Sequence, residues 1–146
     1  MSKNQFTERQ KEAIQLAIAK AELNTSGEIR VHIDKQCKVD PLKRAIVIFE
    51  ELKMYNTAQK NGILIYLSLN DNKLAIIGDS GINAVVPDDF WDNERDLMIS
   101  FFKKGQFTEG LVEGIRMVGE QLKAAFPYLE NDTNELSNEV SFGEDE

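Results

Sequence analysis

At 146 residues the chain has the size of one domain, able to bury roughly 68–70% of its unfolded surface, and its 42% hydrophobic and 29% charged residues are ordinary for a globular protein. No apolar run approaches the roughly 18 residues of a membrane-spanning helix, residues 1–8 lack the apolar stretch of a secretory leader, and Cys37 is the lone cysteine; a membrane span and a disulfide framework are excluded and a cytoplasmic location is expected. The net charge of −8 belongs to a tail, because residues 130–146 hold seven acids and no Lys or Arg, so the other 18 acids nearly balance the 17 bases and nucleic acid is excluded as a partner.

Thr7 is a helix cap, and Ala13, Ile14, Ala17, Ile18 and Ala21 follow at the spacing of one helical stripe, which predicts a first helix over about 7–23. After the turn Asn24-Thr25-Ser26-Gly27, Ile29, Val31 and Ile33 alternate with Glu28, Arg30, His32 and Asp34, the period of a half-buried strand with one polar face. Cys37, in a loop beside Lys35 and Lys38 and without an identifiable base, reads as incidental rather than nucleophilic. Asp40 followed by Pro41 opens a second helix carrying Leu42, Ala45, Ile46, Phe49 and Leu52, ending near Tyr55 and Asn56.

The run Ile63 to Leu69 is apolar nearly without alternation, as in a strand covered on both faces. Asn70-Asp71-Asn72-Lys73 then turns the chain, and Leu74 to Gly78 returns antiparallel. The helix between the first two strands is a crossover, so those strands are parallel and the sheet is mixed. Asp88 or Asp89 caps a helix with Phe90, Trp91, Leu97, Met98, Phe101 and Phe102, and a last helix carries Leu111, Ile115, Val118, Leu122 and Phe126 before Pro127 stops it. The expected architecture is α/β, a three-layer α/β/α sandwich around a small mixed β-sheet spanning residues 1–128. Residues 129–146 are expected to be a disordered acidic tail, in which Leu136, Val140 and Phe142 leave a short docking segment open.

Gly78-Asp79-Ser80-Gly81 spells the tetrapeptide around a serine-protease nucleophile, but the lone histidine, His32, lies mid-strand in the wrong fold class, so that reading fails. His32 itself reads as a satisfied or solvent-facing strand residue. Paired cysteines, His-Glu-x-x-His, a P-loop and the twelve-residue calcium loop are absent. What remains is a run of oxygen ligands, Asp79, Ser80, Asp88, Asp89, Asp92 and Glu94, of the kind hard cations take. Singly each has a capping or helix-dipole role; together, beside a strand's carboxyl end, they exceed what one helix requires. The aromatics Phe90, Trp91, Phe101, Phe102 and Phe107 read as core, and Gly62, Gly78 and Gly81 as turn residues.

The order of elements and several strings resemble the TPM domain family: Ser26-Gly27-Glu28-Ile29-Arg30-Val31, Asn61-Gly62-Ile63-Leu64-Ile65-Tyr66-Leu67-Ser68, Ile76-Ile77-Gly78-Asp79-Ser80-Gly81-Ile82, Trp91, Gly105-Gln106-Phe107 through Gly110-Leu111, and Phe126-Pro127. The resemblance covers about residues 6–127 and implies the same sandwich, with a divalent-cation site, most often for Ca²⁺, in loops at one end. Carried onto this chain it implies Asp79, Asp88 and Asp89 as metal ligands, with Glu28 a weaker candidate. Plant members are linked to photosystem repair and acid phosphatase activity, whereas others are binding modules. This chain resembles a stand-alone, bacterial-type member without leader or anchor.

The resulting expectation is a monomeric, cytoplasmic domain that binds Ca²⁺ or Mg²⁺ and presents that end to an unidentified protein partner, without catalysis. The alternatives are a metal-dependent acid-phosphatase-like hydrolase, in which the cation polarises a phosphoryl oxygen, and a metal-free protein-interaction module.

Overall fold

Residues 7–23, 25–127 and 140–143 are described by the computed structural model. The Thr7 side chain accepts from Gln10 N at 3.1 Å while Gln10 Oε1 accepts from Thr7 N at 2.9 Å, a reciprocal cap that starts α1 (Glu8–Glu22). Strand β1 (Glu28–Asp34) follows, then α2 (Pro41–Glu51), capped by Asp40 accepting from Leu42 N at 2.9 Å. The hairpin is β2 (Gly62–Ser68) and β3 (Lys73–Gly78), with Asn72 supplying a positive φ of 53° in the turn. One turn of helix, α3 (Ser80–Asn83), leads to α4 (Phe90–Phe102) and α5 (Phe107–Ala125).

Among the described residues these strands and a fourth, β4 (Ser141–Phe142), form one sheet in the order β3-β2-β1-β4. β1 pairs parallel with β2 from Glu28 opposite Gly62 to Asp34 opposite Ser68, and β2 pairs antiparallel with β3. The expected mixed sheet and crossover are therefore present. One face carries Ile29, Val31, Ile33, Ile63, Ile65 and Leu67 against Ile14 and Ile18 of α1, Met98 of α4 and Leu111, Ile115, Val118 and Leu122 of α5. The other carries Leu64, Tyr66 and Ala75 against Ala45, Ile48 and Phe49 of α2. Helices thus cover both faces, as the three-layer sandwich requires.

Four differences from expectation matter. Strand β1 has no solvated face: Glu28, His32 and Asp34 are all buried, and His32 and Asp34 bond to Arg44 of α2, Tyr66 of β2 and Ser141 of β4. The apolar stripe of α2 is rotated, with Ile48 buried and Leu42 and Ile46 exposed, and the helix ends at Glu51 rather than near residue 55, where Lys53 takes a positive φ of 55°. Gly78 and Gly81 serve close approach rather than a special φ: a side chain at 81 would strike the carbonyls of Gln59 and Lys60, and one at 78 would strike Ile82 and Trp91. Finally, the segment assigned to the acidic tail contributes residues 140–143 to the fold, with His32 opposite Ser141 and Ile33 opposite Phe142 in a parallel pair. The other residues of 129–146, apart from these four, lie outside the described residues.

Candidate functional site

Parallel pairing of β1 with β2 brings the starts of both strands to one end of the sheet, and the antiparallel β3 ends there too. Gly62 is the meeting point. It stands opposite Glu28 in register, and its carbonyl accepts from Asp79 N at 2.9 Å; next to it the Asn61 carbonyl accepts from Glu28 N at 3.3 Å. Asp79 caps α3, with Oδ1 accepting from Ser80 N at 2.7 Å. Its other oxygen, Oδ2, is buried and has no hydrogen-bond partner among the described residues, and neither has the buried Asn61 Oδ1. Asn61 Nδ2 donates to Ser26 Oγ at 3.3 Å. Behind Glu28, the Glu22 carboxylate accepts from Ile29 N at 2.8 Å; burial raises it to about 8, the backbone bond opposes that, and Glu28 adds repulsion.

The other candidate carboxylates go elsewhere. Asp88 and Asp89 are exposed on the turn before α4, and Asp89 occupies the cap position without making a capping bond. Asp92 is exposed, 3.5 Å from Arg95. Glu94 points the opposite way, buried between α4 and α5, with neither oxygen partnered among the described residues. Burial lifts its carboxyl to about 8, Glu113 adds to the shift and Arg116 offsets part of it. Among the described residues no three His, Cys, Asp or Glu side chains are grouped to hold a metal. Within α4 the helix sends Asp92 and Glu94 to different faces, while Asp88 and Asp89 stand on the turn before it. What stays at the sheet end are two buried oxygens without a donor among the described residues, Asp79 Oδ2 and Asn61 Oδ1. Oxygens of this kind fit a hard cation, which prefers carboxylate, amide and water ligands over nitrogen or sulfur.

A second polar cluster, not anticipated, sits at the opposite end of β1. Asp34 Oδ1 lies 3.0 Å from His32 Nε2, while Oδ2 accepts from Tyr66 OH at 2.6 Å and from Arg44 Nε at 3.0 Å. His32 Nδ1 lies 2.7 Å from Ser141 Oγ, and the rings of His32 and Tyr66 stack 6.1 Å apart. Burial pushes the Asp34 carboxyl up, but bonds to His32, Arg44 and Tyr66 outweigh it and hold the group well below the usual carboxylate range. Tyr66 is driven far above the usual phenol range, by burial first and then by its bond to Asp34. A cleft of about 590 Å³ opens beside the cluster, lined by His32, Asp34, Cys37, Lys38, Arg44 and Gly143 among others. Two signals for this cluster are present in the sequence: His-x-Asp spacing puts both side chains on one strand face, and a tyrosine inside an otherwise apolar strand needs a partner for its hydroxyl.

The TPM domain family model matches residues 2–121. No curated protein matches the chain. Among solved structures, the chain is similar to the BA42 protein of the psychrophilic bacterium Bizionia argentinensis, with 47% identity, TM-score 0.89, and coverage of 94% of this chain and 95% of that one. It is also similar to the N-terminal domain of a P. gingivalis protein, at 21% identity and TM-score 0.68 over 83% of this chain and 78% of that one. A third likeness is to the N-terminal domain of the cg2496 protein of Corynebacterium glutamicum, at 14% identity and TM-score 0.65 over 97% and 82%. The last two likenesses bear on the fold alone.

Proposed function

The chain belongs to the TPM domain family, and from that premise we propose that it is a non-catalytic, cytoplasmic domain that binds a divalent cation, Ca²⁺ or Mg²⁺, at the sheet end around Asp79. The observation that carries this reading is the buried Asp79 Oδ2, which lacks any donor among the described residues. Leaving a buried polar oxygen unsatisfied costs about 1–3 kcal/mol, more when it is charged, so a cation there would offset a cost the fold otherwise bears. Asn61 Oδ1 would join it as a neutral oxygen ligand, with Glu28 supplying further negative potential from the adjacent strand. Asp88 and Asp89, exposed at the start of α4, would contribute to attracting the ion and to the surface presented to a partner. The bound cation supplies positive charge at that end of the sheet.

Titrating the full chain with Ca²⁺ and with Mg²⁺ under two-dimensional amide spectroscopy tests the reading. Saturable shifts at residues 61–62 and 79–80, weakened at least tenfold in Asp79→Asn, are expected. Shifts confined to residues 130–146, or none, would leave Asp79 as a helix cap and remove the proposal.

A further inference from the structure

Among the described residues the outer edge of β1 is met by two paired residues of β4, and four consecutive residues there are each recognised by different chemistry. Val140 is buried in the main core cluster. The Ser141 hydroxyl meets His32 Nδ1 at 2.7 Å. Phe142 packs against the same core, with Lys11 Nζ 5.6 Å from its ring centroid. Gly143 donates its N–H to Ile33 O at 2.9 Å and lies so close to Asp34 Oδ1 that a Cβ at this position would collide with it. The reading groups are themselves held in place, because Tyr66 and Arg44 fix the Asp34 carboxylate and Asp34 fixes the His32 ring. Such an arrangement combines main-chain pairing at a sheet edge with side-chain pockets that select sequence, which is how sheet-edge peptide sites work. The cleft of about 590 Å³ beside Phe142 and Gly143 is lined by both signs of charge, Lys38 and Arg44 with Asp34 and Glu51, and Arg44 is paired with Asp34 at 3.0 Å.

We propose that the edge of β1 at His32–Asp34 is a peptide-binding groove for an extended segment of a partner protein, of the pattern apolar–Ser–Phe–Gly, which this chain's own residues 140–143 occupy in cis. The chain's own sequence there, Val140-Ser141-Phe142-Gly143, defines the ligand class. Because a segment tethered by a short linker competes at an effective concentration of order millimolar, a free peptide reaches the groove only weakly until the cis segment is weakened. This site lies at the opposite end of β1 from the proposed cation site and does not depend on it.

The test uses the full chain and a labelled nine-residue peptide with the sequence of residues 138–146. Phe142→Ala in the protein weakens the cis segment and is expected to raise peptide affinity at least tenfold over the unsubstituted chain, with amide shifts at residues 31–34. Gly143→Val in the protein, which drives residue 143 off Asp34, is expected to do the same, whereas the same change placed in the peptide abolishes binding. Folded variants that take up no peptide overturn the proposal. Loss of folding in both variants overturns it equally, since residues 140–143 would then be an integral strand, and concentration-dependent dimers of the unsubstituted chain would replace the foreign partner with exchange between copies.

Discussion

Asp34 and Glu94 show how two buried carboxyls acquire opposite behaviour from their surroundings. Asp34 receives three side-chain contacts and its charged form is favoured in the fold, so it contributes stability above its unfolded value near 4 and loses it as pH falls through the lower folded value. Replacing it with alanine strands Arg44, Tyr66 OH and His32, and an expected loss of about 3–5 kcal/mol is measurable by urea denaturation at pH 7. Glu94 has no hydrogen-bond partner among the described residues and its carboxyl is raised to about 8. The folded state therefore keeps a proton that the unfolded state releases above about 4.5; the protonated form's advantage is complete below that value and is lost as pH climbs to about 8. Glu94→Gln is accordingly expected to stabilise the fold at pH 8 by on the order of 2 kcal/mol and to do nothing at pH 4.5, as urea midpoints at the two pH values will show.

At the level of elements, α1 and α5 meet where small residues permit it. A Cβ on Gly119 would stand 2.7 Å from Ala21 Cβ and 3.1 Å from its Cα. Gly119→Ala gains roughly 1 kcal/mol of helix propensity, but neither Ala21 atom can swing aside, and overpacking of this kind costs about 1–3 kcal/mol. The clash is expected to win, lowering the thermal midpoint, whereas the exposed Leu16→Ala on the same helix pair serves as a near-neutral comparison. Helix stripes were legible wherever one partner layer dominates: Leu111, Ile115, Val118 and Leu122 of α5 are all fully buried, as their spacing implies. The stripe of α2 was misplaced because that helix lies mainly over β3 and β2, which leaves Leu42 and Ile46 uncovered and draws Ile48 inward. Spacing identifies an amphipathic helix; only its seat on the sheet selects which of two overlapping stripes is buried.

For the molecule as a whole, Asp34 favours neutral over acid conditions while Glu22 and Glu94, both raised to about 8, favour acid over alkaline ones. Stability is expected to peak at about pH 5 and to decline toward pH 8, and a Glu22→Gln, Glu94→Gln double variant is expected to flatten that decline in a series of denaturation curves. The apolar run of β2, the two helix stripes of α1 and α5 and the hairpin turn were determined by sequence alone, because each rests on conformations set within one segment, and the crossover follows from the order strand, helix, strand. The candidate site was legible only at Asp79, where a strand's carboxyl end, a cap and a turn coincide locally. Dispersal of Asp88, Asp89 and Glu94, and assembly of the Asp34 cluster, were decided by tertiary structure: Asp34 meets Arg44, Tyr66 and, through His32, Ser141, from α2, β2 and β4. The same His32–Asp34 face that alternation marks as solvated is buried, its polar atoms bonded to Arg44, Tyr66 and Ser141. A polar residue in a strand is ambiguous in sequence because water and a distant side chain satisfy it equally well; the packing of non-local elements removes the water, and the partner that replaces it turns a surface pattern into a site.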